Sequence, residues 1–119
     1  MGSISELGEQ HPETVTVIIP VYNGERFIRR ALDSVFKQTY PPHQVIVIDD
    51  GSKDSTREIA ANEYGASVML ICQQNGGPAK ARNAGLRVAT GELIAFLDAD
   101  DWWEPEKLAS QVQDRKSVV

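Results

Sequence analysis

Four short apolar runs, each closed by a burst of polar residues, leave this chain few folds to choose from. They are Val15 to Pro20, Val45 to Ile48, Val68 to Cys72 and Leu93 to Leu97. Runs this short and this rich in β-branched residues read as strands buried on both faces. The segments between them have helical spacing. In Phe27 to Lys37, residues Ile28, Ala31, Leu32, Val35 and Phe36 share one face, and Arg29, Arg30, Asp33 and Lys37 share the other. Tyr40-Pro41-Pro42 breaks that helix. Ser55 and Glu58 predict a capping box for a second helix running to Tyr64, with Gly65 as its stop. Pro78 suits the first turn of a third helix ending by Gly91, whose inner face of Ala81, Ala84, Gly85 and Val88 would let it pack close to a sheet. Pro105 opens a last helix carrying Leu108 and Val112. Strict alternation of strand and helix implies parallel strands and right-handed crossovers. The expected fold is α/β, a Rossmann-like three-layer α/β/α sandwich with a mainly parallel sheet.

With 119 residues there is room for one domain. A net charge of −5 argues against nucleic acid as a partner. Cys72 is the only cysteine, so an intrachain disulfide and a cysteine-based zinc site are both ruled out. Its place in an apolar run reads as that of a small buried filler. No segment reaches the roughly 20 apolar residues of a membrane span. Residues 1–14 are polar and acidic with no signal core, and read as a flexible N-terminal tail. A cytoplasmic location follows by default; peripheral attachment to the inner face of a membrane through regions outside this chain stays open.

In an open parallel sheet, ligands bind at the carboxyl ends of the strands. The unusual residues gather at those four ends: Pro20-Val21-Tyr22-Asn23-Gly24, Asp49-Asp50-Gly51-Ser52, Gln74-Asn75-Gly76-Gly77-Pro78 leading to Lys80 and Arg82, and Asp98-Ala99-Asp100-Asp101. Each has a plain alternative. Asp-Gly is a common turn, and Asp54 or Ser55 caps a helix whatever the function. Lys80 and Arg82 read either as exposed helix charges or as anion ligands near a helix N-terminus. Tyr22 is either a half-buried tyrosine or a residue packed on a base. Asp50 offers acceptors that suit the N–H edge of a uracil-like base. Asp98 or Asp101 reads as a helix cap; alternatively the Asp98-Ala99-Asp100 carboxylates hold a hard divalent cation with phosphate oxygens. Of Trp102 and Trp103, one is expected in the core and the other beside a sugar site. Four such loops on one rim suggest a single polar ligand. The chain lacks G-x-G-x-x-G, G-x-x-x-x-G-K-[ST] and G-x-S-x-G, which disfavours a dinucleotide oxidoreductase, a P-loop protein and a serine hydrolase.

The ordered set of motifs resembles family 2 glycosyltransferases of the GT-A fold. The matching residues are Val17-Ile18-Ile19-Pro20-Val21-Tyr22-Asn23, Ala31-Leu32-Asp33-Ser34-Val35 with Gln38-Thr39, Val47-Ile48-Asp49-Asp50-Gly51-Ser52 with Asp54-Ser55-Thr56, Asn75-Gly76-Gly77 with Ala81-Arg82-Asn83-Ala84-Gly85, Thr90-Gly91-Glu92, and Phe96-Leu97-Asp98-Ala99-Asp100-Asp101. The resemblance implies transfer of a sugar, with inversion, from a nucleotide-diphosphate donor, a UDP-sugar by family habit. The acceptor would be a sugar, lipid or protein, and the setting polysaccharide or glycoconjugate synthesis. Position by position, Pro20 and Tyr22 line the nucleotide pocket, Asp50 contacts the base and Arg82 lies near the donor. Asp98 falls in the ribose and metal region, and Asp100 is the direct ligand of Mg²⁺ or Mn²⁺. The implied strand order is 3-2-1-4, which leaves the wholly apolar fourth strand on an edge.

Members of the family are about twice this long or more, and their second half carries the acceptor site and the general base. The chain reads as the donor half, with residues 15–113 as a partial nucleotide-sugar-binding domain that ends after its fourth strand and helix. No catalytic base is assigned in it, and on its own it is expected to be inactive, a binding module in practice. Residues 114–119 break the helix pattern, match one reading frame of a common sequencing adapter, and are expected to be a non-native tail.

Overall fold

The computed structural model describes residues 13–117. Its centre is a four-stranded parallel sheet of β1 (Val15–Val21), β2 (Gln44–Asp49), β3 (Met69–Cys72) and β4 (Leu93–Phe96), in the order β3-β2-β1-β4. The order implied by the resemblance is therefore the observed one. β1 lies between two neighbours and under helices on both sides, which is why its sequence is apolar or β-branched throughout. Alternate residues face opposite layers. Val15, Val17, Ile19 and Val21 join α1 (Ile28–Phe36), α2 (Thr56–Tyr64) and α4 (Lys107–Ser117) in the larger core. On the other face, Ile18, Ile46 and Ile48 pack against α3 (Pro78–Val88). The result is the expected three-layer sandwich.

Four residues of the apolar stripe of α1 are as read, Ile28, Ala31, Leu32 and Val35 being buried, but Phe36 at its end is 41% exposed and stacks on the Tyr64 ring. α3 sits close on the sheet because Gly85 has no side chain. A Cβ there would lie 2.7 Å from Ile18 Cγ2. α4 buries Leu108 and Val112, and its start is held by Gln38, a buried amide. Gln38 Nε2 donates to the carbonyls of Ser34 (3.1 Å) and Glu104 (2.7 Å), and its Oε1 accepts from Leu108 N–H (2.9 Å).

Several expectations change. The capping box does not form, because Ser55 makes no side-chain cap. Asp54 does the work instead, its Oδ1 accepting from Thr56 N–H at 2.9 Å. Cys72 is exposed, not a buried filler, because β3 is an edge strand. The helix expected to fade after Gln113 continues to Ser117. Most of the tail expected over residues 1–14 lies outside the described residues, but its last two residues are tied down. Glu13 O accepts from the Tyr40 hydroxyl, Thr14 N–H donates to Glu92 Oε1 (2.9 Å), and Glu92 N–H donates to Thr14 Oγ1 (2.9 Å). These bonds belong to a polar seam at the amino ends of the strands. Within it Thr16 Oγ1 donates to Gln44 Oε1 (2.7 Å) and accepts from Gly91 N–H (2.8 Å), while Gln44 Nε2 donates to Val88 O (3.2 Å).

Candidate functional site

At the opposite, carboxyl ends of the strands, the first loop is held by the second and the second by the third. Asn23 adopts φ +52°, a conformation Asn tolerates better than most residues. From there its N–H donates to Ser52 Oγ and its Oδ1 accepts from Lys53 N–H, both at 2.8 Å. Gly24 N–H donates to Thr56 Oγ1 (2.9 Å), and Ser55 N–H donates to Glu25 Oε1 (2.8 Å). The β1 and β2 loops are thus laced together by side chains that share no helix or strand.

Asp49, which closes β2, and Asp50, which follows it, part company, as the alternation of an extended chain requires. The carboxylate of Asp49 is fully buried under α2, with Oδ2 3.2 Å from Arg57 Nη2 and no hydrogen-bond partner for Oδ1. Asp50 turns to the third loop. Its Oδ1 accepts from Gly76 N–H (2.8 Å) and Gln73 Nε2 (2.9 Å), and its Oδ2 from Gly77 N–H (2.9 Å) and Asn75 Nδ2 (3.2 Å). A carboxylate offers about four acceptor positions, so all are engaged. Burial alone would raise the pKa of Asp50, but the Gln73 amide, the two glycine N–H groups and nearby Lys80 together carry it below the usual carboxylate value.

The fourth loop turns on Asp101 N–H, which donates to Asp98 O at 2.9 Å. The Asp101 carboxylate accepts from Trp102 N–H (2.8 Å), ahead of α4 and not at its cap. Arg30 Nη2 reaches Asp100 O from α1 at 3.4 Å. Arg82 Nη2 stands 3.9 Å from Asp98 Oδ1, with the two side chains 42% and 68% exposed. A pair so open is worth little by itself and leaves both charges free for a ligand.

These loops enclose one cavity of about 530 Å³, within the size range of small-ligand sites. Pro20, Tyr22, Asp50, Arg82, Asp98 and Asp100, the six residues singled out in the sequence, all line it. Phe27 also lines it and is 39% exposed. Sequence reasoning treated Phe27 only as the start of a helix. The available signal was that it stands off the apolar stripe of α1, where an aromatic side chain has no core to enter. Among the described residues no three His, Cys, Asp or Glu side chains form a cluster able to hold a metal. Asp98 and Asp100 supply hard oxygen donors that fit Mg²⁺ or Mn²⁺, provided that ligand oxygens and water complete the shell.

A Rossmann-like α/β domain with a polar ligand cavity across its strand ends is the class that this geometry defines. The family model described as "Glycosyl transferase family 2" matches residues 16–116, and the chain belongs to that family. It is 40% identical over 110 residues to an uncharacterized glycosyltransferase of Rickettsia typhi, covering 88% of this chain and 34% of that protein. Among solved structures it is similar to Staphylococcus aureus TarS 1–349 in complex with UDP (TM-score 0.76, 34% identity, 84% of this chain and 31% of that one). It is also similar to the mannosyltransferase PcManGT from Pyrobaculum calidifontis in complex with GDP-Man and Mn²⁺ (TM-score 0.77, 35% identity, 87% and 32%). The chain thus spans about a third of the length of these relatives. Among the described residues no helix is long and apolar enough to cross a membrane.

Proposed function

We propose that the cavity binds a nucleotide-diphosphate sugar, a UDP-sugar in the first instance, and that the chain is the donor-binding part of an inverting glycosyltransferase. The observation that carries this reading is the convergence of all six residues on one cavity. The complexes of the similar proteins with UDP and with GDP-Man and Mn²⁺ support it. In this reading Pro20 and Tyr22 form the wall against which the base packs. Asp50 accepts the N–H edge of the base, in place of the Asn75 amide that holds its longest hydrogen bond. Arg82 turns from Asp98 toward the diphosphate. Asp100, with Asp98 beside it, would hold Mg²⁺ or Mn²⁺. When bound, such an ion offsets the charge of the leaving nucleoside diphosphate.

Calorimetric titration with UDP, with and without Mn²⁺, tests the reading. Binding that strengthens with Mn²⁺ and loses that dependence in Asp100→Ala is expected. Absence of heat under both conditions, or identical behaviour of the variant, overturns it. The sugar, the acceptor and transfer itself belong to the whole enzyme. No general base is assigned within these residues, which favours a second reading of the chain alone as a binding module without turnover. Sustained sugar transfer to an added acceptor by this chain would refute that second reading.

A further inference from the structure

A second cleft, of about 600 Å³, opens between α1 and the loop after β4. Arg30 and Ser34 line it from α1, Lys37 from the residue just past that helix, and Trp102, Trp103 and Pro105 from the loop. Trp103 packs partly against the core, and its N–H donates to Ser34 Oγ at 3.1 Å. Trp102 is different: it is 44% exposed at the cleft wall. An indole left in water is an apolar platform with one polar edge. Beside it stand two cations that form no salt bridge among the described residues. Arg30 touches only the carbonyl of Asp100, and the Lys37 ammonium has no partner among the described residues. Asp33, which also lines the cleft, already accepts from the Tyr64 hydroxyl at 2.8 Å. The lining thus brings two cations and one carboxylate together beside an exposed aromatic face, in a chain whose net charge is −5.

We propose that this cleft is a second binding site, for a saccharide bearing a phosphate or carboxylate. The C–H face of a pyranose is apolar and broad enough to cover an indole, while its hydroxyl edge needs hydrogen-bonding groups at the rim. A purely apolar ligand would leave Arg30 and Lys37 without a role, and a bare anion would leave Trp102 without one. The site stands apart from the nucleotide cavity: the two share no lining residue, and Arg30 alone links the cleft to the Asp100 backbone.

Both tryptophans of the chain line this cleft, so intrinsic fluorescence reports on it directly. The test is a fluorescence titration with glucose 1-phosphate in EDTA, beside titrations with glucuronate, glucose and inorganic phosphate. Saturable changes with glucose 1-phosphate and glucuronate at millimolar concentration are expected, with glucose and phosphate about tenfold weaker. Lys37→Glu and Trp102→Ala should each weaken glucose 1-phosphate binding about tenfold while leaving far-UV circular dichroism unchanged; in the second variant Trp103 remains as reporter. Asp100→Ala should bind it as the parent does, so failure of the nucleotide reading and failure of this one are seen separately. No saturable change up to about 50 mM, equal binding of inorganic phosphate, or indifference to both cleft variants overturns the proposal.

Discussion

Asp50 is one carboxylate with two duties, since it organises a loop and faces the cavity. Replacing it by Asn puts an NH₂ group or a weaker acceptor against the N–H groups of Gly76 and Gly77. One buried donor left unsatisfied costs about 1–3 kcal/mol. Denaturant unfolding of Asp50→Asn should show a loss of that order, and calorimetry a roughly tenfold weaker UDP complex. The pH dependence has a definite sign. The pKa of Asp50 is depressed in the folded state, so its contribution is fully present above the unfolded value near about 3.9 and is lost as pH falls through the lower folded value. The stability difference between wild type and Asp50→Asn should therefore shrink as pH is taken below about 4. Turn chemistry alone placed Asp50 at a strand end. Its partners could not be read that way, because Gln73 to Gly77 belong to the loop of a different strand, and only the sheet order brings the two loops together. Phe27 was hidden for the converse reason, since it reads as the start of a helix while it lines a cavity walled in part by loops far along the chain.

Among the elements, α3 depends most on a missing atom. Gly85→Ala should gain up to about 1 kcal/mol of helix propensity, yet its Cβ would meet Ile18, and overpacking of this kind costs about 1–3 kcal/mol. A net loss on thermal unfolding is expected. Ile18→Ala opens the space, so the double variant should lose less than the sum of the two single losses; strict additivity would show that Gly85 is not gauged by Ile18. Periodicity made the type and chain order of the four strands and four α-helices legible, because burial on one or both faces writes itself into the apolar spacing. It did not show the 3₁₀ turn Gly65–Ser67, and it overstated burial in β3 and β4, where Met69, Cys72, Ile94 and Phe96 are exposed because both are edge strands. Helix starts were less legible. Ser55 and Glu58 have the spacing of a capping box, but Asp54 takes the first N–H and Glu25 arrives from another loop to take the N–H of Ser55. A local pattern lost to partners that only the tertiary fold supplies.

At the scale of the molecule, the sheet has two open edges of unequal character among the described residues. β4 pairs only with β1, and its Ile94 and Phe96 are exposed on the α3 side. An apolar edge without charge, proline or cover invites pairing with another chain. Light scattering should show association that rises with concentration, and Phe96→Lys should raise the concentration at which monomer persists. Equal behaviour of parent and variant would remove β4 as the cause. At the amino ends of the strands, Thr14, Thr16, Gln44, Gly91 and Glu92 bond mainly to one another. That end has little hydrogen-bonding capacity to spare, whereas the carboxyl ends leave Tyr22, Arg82, Asp98 and Asp100 turned outward. Mutational drift should therefore be lopsided: changes of ligand preference can accumulate at the outward rim without unravelling the domain, while the seam beneath it is held to its present residues by folding alone.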